Sequence, residues 1–470
     1  MITKDSIHKL SAAALLSAAA LVATTFSSCS SDDYAPNPLP PTEDGMATIN
    51  LAFAAPTIDS RADDGENKYN PVDTEASETE VDDLWVYFFK VTDSGSELWK
   101  AFDVKNAGAT ADYSSMTLPT EISTEAQTVI SGINIPKGDY KIYVLANIAG
   151  YQGTDETDKI DPATVNNYSL TEKAGLENKL LAYTFTTLNS NNTGDKAGII
   201  AGNLPMGAHY TDVALSNANG TITQNSQTKI ISIESGSATI TASLTYLCAK
   251  VRYTLFFDNT VTKDDDGNAT SYGYSYPINK FEYQLIGVRN ARQDAALFPD
   301  QNKATVSNKI IVKNIIDDPK DPTKGCVASV YPTTPEEFNA WIDPEINTSE
   351  KSLKALEVGA EKPTTGQIAY QGLIYLPENK AGRTNSSKDD IDTENSDKKT
   401  CLRLIVKLDG EEKAFIINLP DNENNSSNYL QHGTFYDIVA RITAQGIDFK
   451  VRVKKWVKSS DKALSMPLNL

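Results

Sequence analysis

Histidine, cysteine and carboxylate are the side chains through which this sequence could do chemistry, and their spacing limits what that chemistry can be. There are three histidines. His8 falls in a signal-like N-terminal segment, and His209 and His432 stand alone in turn-like contexts. Two isolated imidazoles supply neither a zinc ligand set nor a catalytic triad, so the pattern predicts surface or turn histidines. Four cysteines are present, and Cys29 sits at the end of the leader. Cys248, Cys326 and Cys401 match no zinc spacing, and their odd number excludes a complete disulfide framework. Cys248 (LTYLCAKV) and Cys401 (KTCLRLIV) lie in or beside apolar runs, where a buried free thiol is the ordinary outcome. The sequence contains no H-E-x-x-H, G-x-S-x-G or G-x-x-x-x-G-K-[ST]. Lys263-Asp264-Asp265-Asp266-Gly267-Asn268 has the acidity of a calcium loop but not the EF-hand spacing, which predicts a hairpin turn. Carboxylates are abundant enough for a glycosidase-like pair, yet no spacing singles one out. The expectation is therefore a protein that is not an enzyme, with no catalytic residue, no metal and no cofactor.

Aromatic side chains offer a different chemistry. Twenty-one tyrosines and four tryptophans could line a carbohydrate platform. Most of them, including Trp85, Tyr87, Tyr140, Tyr143 and Trp456, fall inside alternating runs, which predicts core packing instead.

These residues are carried by a chain of 470 residues, 40% hydrophobic and 22% charged, long enough for two or more domains. Its net charge of −19 argues against nucleic acid or an anionic membrane surface as partner, since either calls for a basic patch. Most regular segments alternate with a period of two and end in turn residues. Examples are LWVYFFKV (84–91), YKIYVLANI (140–148), ATITASLTYLCAKVRYTLFF (238–257), KFEYQLIGV (280–288) and FYDIVARITAQGIDFKVRVKKWV (435–457). Asp409-Gly410 predicts a tight hairpin turn, and Gln445-Gly446 a second one. Helices are few: Thr334-Pro335-Glu336-Glu337 is a start signal, and residues 170–185 can hold another. The fold class is mainly β, most simply antiparallel sandwiches with short helical insertions, and a boundary falls near residue 243.

The first 28 residues are read as a signal peptide. Lys4, His8 and Lys9 form a basic region, residues 11–26 an apolar one, and Phe26-Ser27-Ser28-Cys29 comes next. That ending looks like a bacterial lipobox with Cys29 as the lipidated residue; the alternative is an ordinary signal peptide before a chance cysteine. Ser30-Ser31-Asp32-Asp33 resembles the surface-export signal of Bacteroidetes lipoproteins, and residues 29–45 read as a flexible tether.

Beyond the tether, the two ends of the chain carry the same pattern. Residues 46–61 begin with a strand whose face is Ile49, Leu51, Phe53 and Ala55, and they end at Arg61, the sole arginine before Arg252. Residues 461–470 place Leu464, Met466, Leu468 and Leu470 on one face. A terminal edge strand on its own domain would explain the tail. So would β-strand addition: if cleavage of the Arg61–Ala62 bond removed the first strand, the tail of another copy could fill the groove. Burying such a face contributes on the order of 5–10 kcal/mol gross. Ordering the tail costs roughly 1–2 kcal/mol per residue, so main-chain pairing must add to it. Such a head-to-tail contact does not close and grows a filament.

The order lipobox, acidic tether, first strand, isolated arginine and LWVYFFKV strand continues with G-D-Y-K-I-Y-V-L-A-N (138–147) and L-P-M-G (204–207). QGLIYLPENKAG (371–382), with its Y-x-x-E-N element, and a last hairpin ending in Val453-Lys454-Lys455-Trp456 complete it. The whole chain resembles the Bacteroidales fimbrillins, the major and minor fimbrium subunits of type V pili. The resemblance implies two antiparallel β-sandwich domains, transthyretin-like or Greek-key, over 46–243 and 244–470. It implies an outer-membrane lipoprotein precursor carrying palmitate at Cys29, maturation between Arg61 and Ala62, and polymerisation by donor-strand exchange. The partners it implies are other copies of the chain, accessory fimbrial subunits, the outer membrane through the lipid, and host or bacterial surface receptors. Two other readings stay open: a surface glycan-binding lipoprotein of a polysaccharide-uptake system, and a tip or anchor fimbrial subunit rather than a shaft subunit.

Overall fold

The structure, a computed structural model, describes residues 46–55, 57–58, 76–106, 108, 110–123, 125–151, 159–186, 204–257, 261–271, 281–289, 294–301, 314–317, 326–329, 354–356, 368–379, 400–408, 411–418, 430–443 and 446–457. The described chain is mainly β. Its strands begin with β1 (Met46–Ala54), β2 (Thr57–Ile58), β3 (Leu84–Thr92), β4 (Gly95–Asp103), β5 (Ser115–Met116), β6 (Gln127–Pro136) and β7 (Gly138–Ala146). Next are β8 (Thr184–Thr186), β9 (Met206–Ala208), β10 (Val213–Gln224), β11 (Ile231–Ser243), β12 (Thr245–Tyr246) and β13 (Cys248–Phe257). Then come β14 (Thr262–Lys263), β15 (Ala269–Ser271), β16 (Phe281–Arg289), β17 (Asp294–Ala296), β18 (Asn314–Asp317) and β19 (Cys326–Ser329). The last are β20 (Lys354–Leu356), β21 (Ile368–Pro377), β22 (Cys401–Leu408), β23 (Glu411–Asn418), β24 (Thr434–Thr443) and β25 (Gly446–Val457).

A ten-stranded sheet runs β12-β9-β7-β11-β1-β6-β5, with β10 on β11 and the β3–β4 hairpin on β7. A five-stranded sheet runs β2-β25-β24-β13-β21, and a six-stranded one β19-β18-β16-β22-β23, with β20 on β16. The apolar stretch 238–257, one run in sequence, is divided: β11 and β12 carry the first sheet's share to Tyr246, and β13 belongs to the five-stranded sheet. Among the described residues no helix is long and apolar enough to cross a membrane.

β3 shows why the sequence of the first sheet is so apolar. Val86 and Phe88 enter one core with Ile49, Leu51, Phe53 and Ile240, while Trp85, Tyr87 and Phe89 enter another with Tyr143, Leu176 and Leu180. A strand buried on both faces reads as a continuous apolar run. Trp85, Tyr87, Tyr140 and Tyr143, expected as core from their alternating runs, are all buried here, whereas Trp456 falls in β25 with its side chain outside the described residues.

Helices cover the second of these faces. α1 (Pro162–Val165) starts at Asp161, whose carboxylate accepts from the Thr164 amide at 3.0 Å. α2 (Leu170–Ala182), a helix within the 170–185 segment expected to hold one, carries a capping box in which Ser169 and Glu172 serve each other's backbone amides. Its buried Leu176 and Leu180 meet the sheet. The helix expected from Thr334 lies outside the described residues. β14 and β15 form the hairpin expected at 263–268, with Gly267 at φ +80°. β22 faces β23 with Leu408 opposite Glu411, the register expected of the Asp409-Gly410 hairpin. In the last hairpin Thr443 lies opposite Gly446, so its two connecting residues are 444 and 445, one step earlier than the Gln445-Gly446 expected from sequence. Glycine serves there as the first residue of the returning strand.

Candidate functional site: the first strand and its seat

β1 lies inside the first sheet, not at its edge. It runs parallel to β11 from Ala47↔Gly236 to Ala54↔Ser243, and antiparallel to β6 from Met46↔Pro136 to Phe53↔Gln127. Ile49, Leu51, Phe53 and Ala55 are at most 1% exposed and share a core with Ile130, Ile133, Ile135 and Ile240. The opposite face is closed too, with Thr48 and Asn50 buried. The alternation seen in sequence therefore selects the core-facing residues correctly, but it conceals the burial of the polar ones.

Asn50 explains how a polar residue is held in that position. Between Ile49↔Ile133 and Leu51↔Ile130, β6 advances three residues while β1 advances two. This is a bulge, and it leaves β6 amides out of the regular ladder. Gly132 sits in it at φ +65°, and its amide donates to Asn50 Oδ1 at 3.0 Å. A side chain at Gly132 would be strained by that φ and would run into Ser114. After β1 the chain makes two backbone contacts, Ala55 N to Ser123 O at 2.9 Å and Leu244 N to Ala54 O at 3.1 Å. β2 then pairs with the end of β25, Thr57 opposite Val457 and Ile58 opposite Trp456. One short segment thus occupies a place in each of two sheets. Cys29, Arg61, Ala62, Leu464, Met466, Leu468 and Leu470 lie outside the described residues.

The other sequence signatures converge beside this sheet. Asn147, last residue of the G-D-Y-K-I-Y-V-L-A-N run, adopts φ +58° and donates through Nδ2 to Glu80 O at 2.9 Å and Leu204 O at 3.0 Å. Its Oδ1 accepts from the Asp82 amide at 2.8 Å. That one side chain ties the approach to β3, the exit of β7 and the L-P-M-G segment together. Tyr375, Glu378 and Asn379 of the Y-x-x-E-N element each find a partner: Glu78 at 2.5 Å, His432 at 2.5 Å and Thr400 at 2.9 Å.

The histidines differ from expectation. His209 and His432 are turn residues, but both are 7% exposed, not on the surface, and both line one cleft of about 100 Å³ with Phe298 and Asp300. Their distance in sequence hid this, since nothing local shows which distant turns meet. His209 Nδ1 accepts from the Thr211 amide at 3.3 Å and contacts Thr211 Oγ1 at 2.7 Å. That nitrogen caps a short 3₁₀ turn, a structural use and not that of a general base. His432 Nδ1 faces Glu378. Among the described residues no group of three or more His, Cys, Asp or Glu could hold a metal ion. Cys248 is a buried free thiol whose pKa burial pushes up, so it is a poor nucleophile.

No family model matches the chain, and no curated protein matches it. Solved structures do. A protein named for cell adhesion from Bacteroides eggerthii is 14% identical, with a TM-score of 0.40, over 89% of this chain and 98% of that one. The tip fimbrial protein Mfa3 of Porphyromonas gingivalis, with a C-terminal truncation, is 14% identical over 87% and 100%, at 0.39. The fimbrial anchor protein Mfa2 of the same organism is 9% identical over 88% and 99%, at 0.29. Overlap at this level leaves function to the chain's own residues.

Proposed function

We propose that the chain is a structural subunit of a surface fimbrium, in which β1 is a temporary strand. It is exported as a lipoprotein through Cys29, cut between Arg61 and Ala62, and polymerised when the 461–470 tail of one copy enters the seat vacated by β1 in the next. The filament stands on the cell surface, and its subunits have two β-sandwich domains, 46–243 and 244–470.

One observation carries this reading. β1 and β2 hold positions in two sheets, yet they form one short segment with Arg61 three residues beyond it. A single cut there would detach a whole core strand and leave β6 and β11 facing an apolar groove. The tail has the alternation to refill it. The lipid and the cleavage are supported by sequence alone, through the leader ending at Cys29 and the sole arginine of the first 251 residues. The glycan-platform reading gains nothing from Trp85, Tyr87, Tyr140 and Tyr143, which are buried.

The test uses protein lacking residues 1–29, treated with an arginine-specific protease. SDS-resistant ladders should appear, and they should vanish when residues 461–470 are deleted. A cleaved protein that stays monomeric under all conditions would overturn the reading.

A further inference from the structure

We propose that the vacated seat reads the register of the incoming tail through one polar mark, the Gly132 amide, and that Ser465 of the second copy answers it. The inference rests on the donor-strand reading above and specifies its contact.

The seat is not a uniform apolar slot. Its one described polar demand from β6 is the bulged Gly132 amide, met by Asn50 Oδ1 at 3.0 Å. Asn50 is only 6% exposed, so water is largely excluded there. When β1 leaves, whatever replaces it must offer an acceptor at that point or leave a buried donor unmet. A second irregularity lies one step further on: Leu51↔Ile130 is succeeded by Ala52↔Thr128, where β6 advances two residues against one.

The tail reads Lys462-Ala463-Leu464-Ser465-Met466-Pro467-Leu468-Asn469-Leu470. Threaded in the direction of β1 with Leu464 on the seat of Ile49, it puts Met466, Leu468 and Leu470 on the seats of Leu51, Phe53 and Ala55. Ser465 then falls on Asn50 and Pro467 on Ala52. Serine reaches about one bond less far than asparagine, so its hydroxyl meets the amide once the incoming strand settles closer to the bulge. Proline lacks an N–H and is tolerated in sheets at bulges, and here it meets the second one. Sliding the tail by two residues one way puts Pro467 against the Gly132 amide. Sliding it by two the other way buries Lys462 where Ile49 was and sets Ala463 against the mark. The reversed threading would offer Asn469 to the mark, but it would make the pairing with β11 antiparallel and that with β6 parallel, and the two ladders space their hydrogen bonds differently.

Two variants of the chain lacking residues 1–29 test this after cleavage. Ser465→Ala should slow ladder growth about tenfold, the factor for one hydrogen bond of roughly 1.4 kcal/mol, whereas Asn469→Ala should leave it unchanged. In Ala463→Cys/Asn134→Cys, oxidation should join neighbouring subunits through those two cysteines, identified by mass spectrometry of the linked peptides, because Thr48 of β1 lies opposite Asn134. Ladders that grow normally with Ser465→Ala, or that form without this link, overturn the register and leave strand exchange standing. Absence of ladders from the unsubstituted chain overturns the donor-strand reading itself.

Discussion

Glu177 is a carboxylate that a helix carries into a sheet. It lies on α2, 8% exposed, and receives Lys141 Nζ at 2.9 Å, Tyr143 Oη at 2.5 Å and the Ser96 hydroxyl. Burial raises its pKa, but the hydrogen bonds from Lys141, Ser96 and Tyr143 outweigh that and hold it below the ordinary 4.5. A carboxyl whose folded pKa lies below its unfolded one stabilises the fold fully above the unfolded value, and that contribution is lost as pH falls through the folded one. Glu177→Gln should therefore lower stability near neutrality by about 1–3 kcal/mol. The gap to the unsubstituted protein should narrow as pH drops below about 4.5. Urea unfolding followed by circular dichroism at several pH values measures it, and a gap independent of pH would refute the assignment. Nothing in LTEKAGLENKLLA marks Glu177, because Lys141 and Ser96 reach it from strands distant in sequence. The helix itself was legible within residues 170–185, whereas its capping box, Ser169 with Glu172, was not read although both partners lie within four residues.

At the scale of elements, local pattern located strands but could not say whom they pair with. Alternation placed β1, β3 and β7, and turn chemistry placed the β22–β23 and β14–β15 hairpins, since each signal lies within the element. The parallel contact of β1 with β11 was invisible, because pairing is decided by partners nearly two hundred residues away. The bulge at Gly132 was hidden for the same reason: glycine in a strand suggests a bulge only once the facing strand is known. If β1 is temporary, its side chains should stabilise only the uncut chain. Phe53→Ala should cost the uncleaved protein about 3–5 kcal/mol, a loss typical of a buried phenylalanine. Filaments grown after cleavage should resist SDS and heat as well as unsubstituted ones do, since Phe53 is no longer in them. Comparing chemical denaturation of the uncut variant with heat resistance of its ladders separates the two states. Equal weakening of both would mean that β1 stays in place.

At the scale of the molecule, if the proposed cut removes β1 and β2, the remainder must not come apart, and a buried charged array ties the turn before β3 to the five-stranded sheet. Glu78, in the 3₁₀ turn Ala76–Thr79 before β3, is 0% exposed and meets Lys250 Nζ of β13 and Tyr375 Oη of β21, each at 2.5 Å. Lys250 lies 5.0 Å and Arg252 4.8 Å from the centre of the Phe435 ring, and Arg252 Nε donates to Asp437 at 3.0 Å. Parallel pairing of β13 with β24 creates this row, setting Lys250 beside Phe435 and Arg252 beside Asp437. A chain beginning at Ala62 keeps Glu78, so the array survives the loss of β1 and β2. Sequence reading marked Arg252 only as the next arginine after Arg61, since a charge in an apolar strand does not announce its counter-charge. Taking one partner from a buried pair strands the other, which costs about 3–5 kcal/mol, whereas replacing both with uncharged groups of similar size costs far less. Lys250→Ala should thus lower the urea midpoint strongly, and Lys250→Met combined with Glu78→Gln should recover most of the loss. If the array is what joins the 76–79 turn to the five-stranded sheet, Lys250→Ala should also expose residues 76–79 to hydrogen exchange well before the core of β3 opens. A Lys250→Ala protein within about 1 kcal/mol of the original, with that turn still protected, would show that apolar packing alone makes the connection.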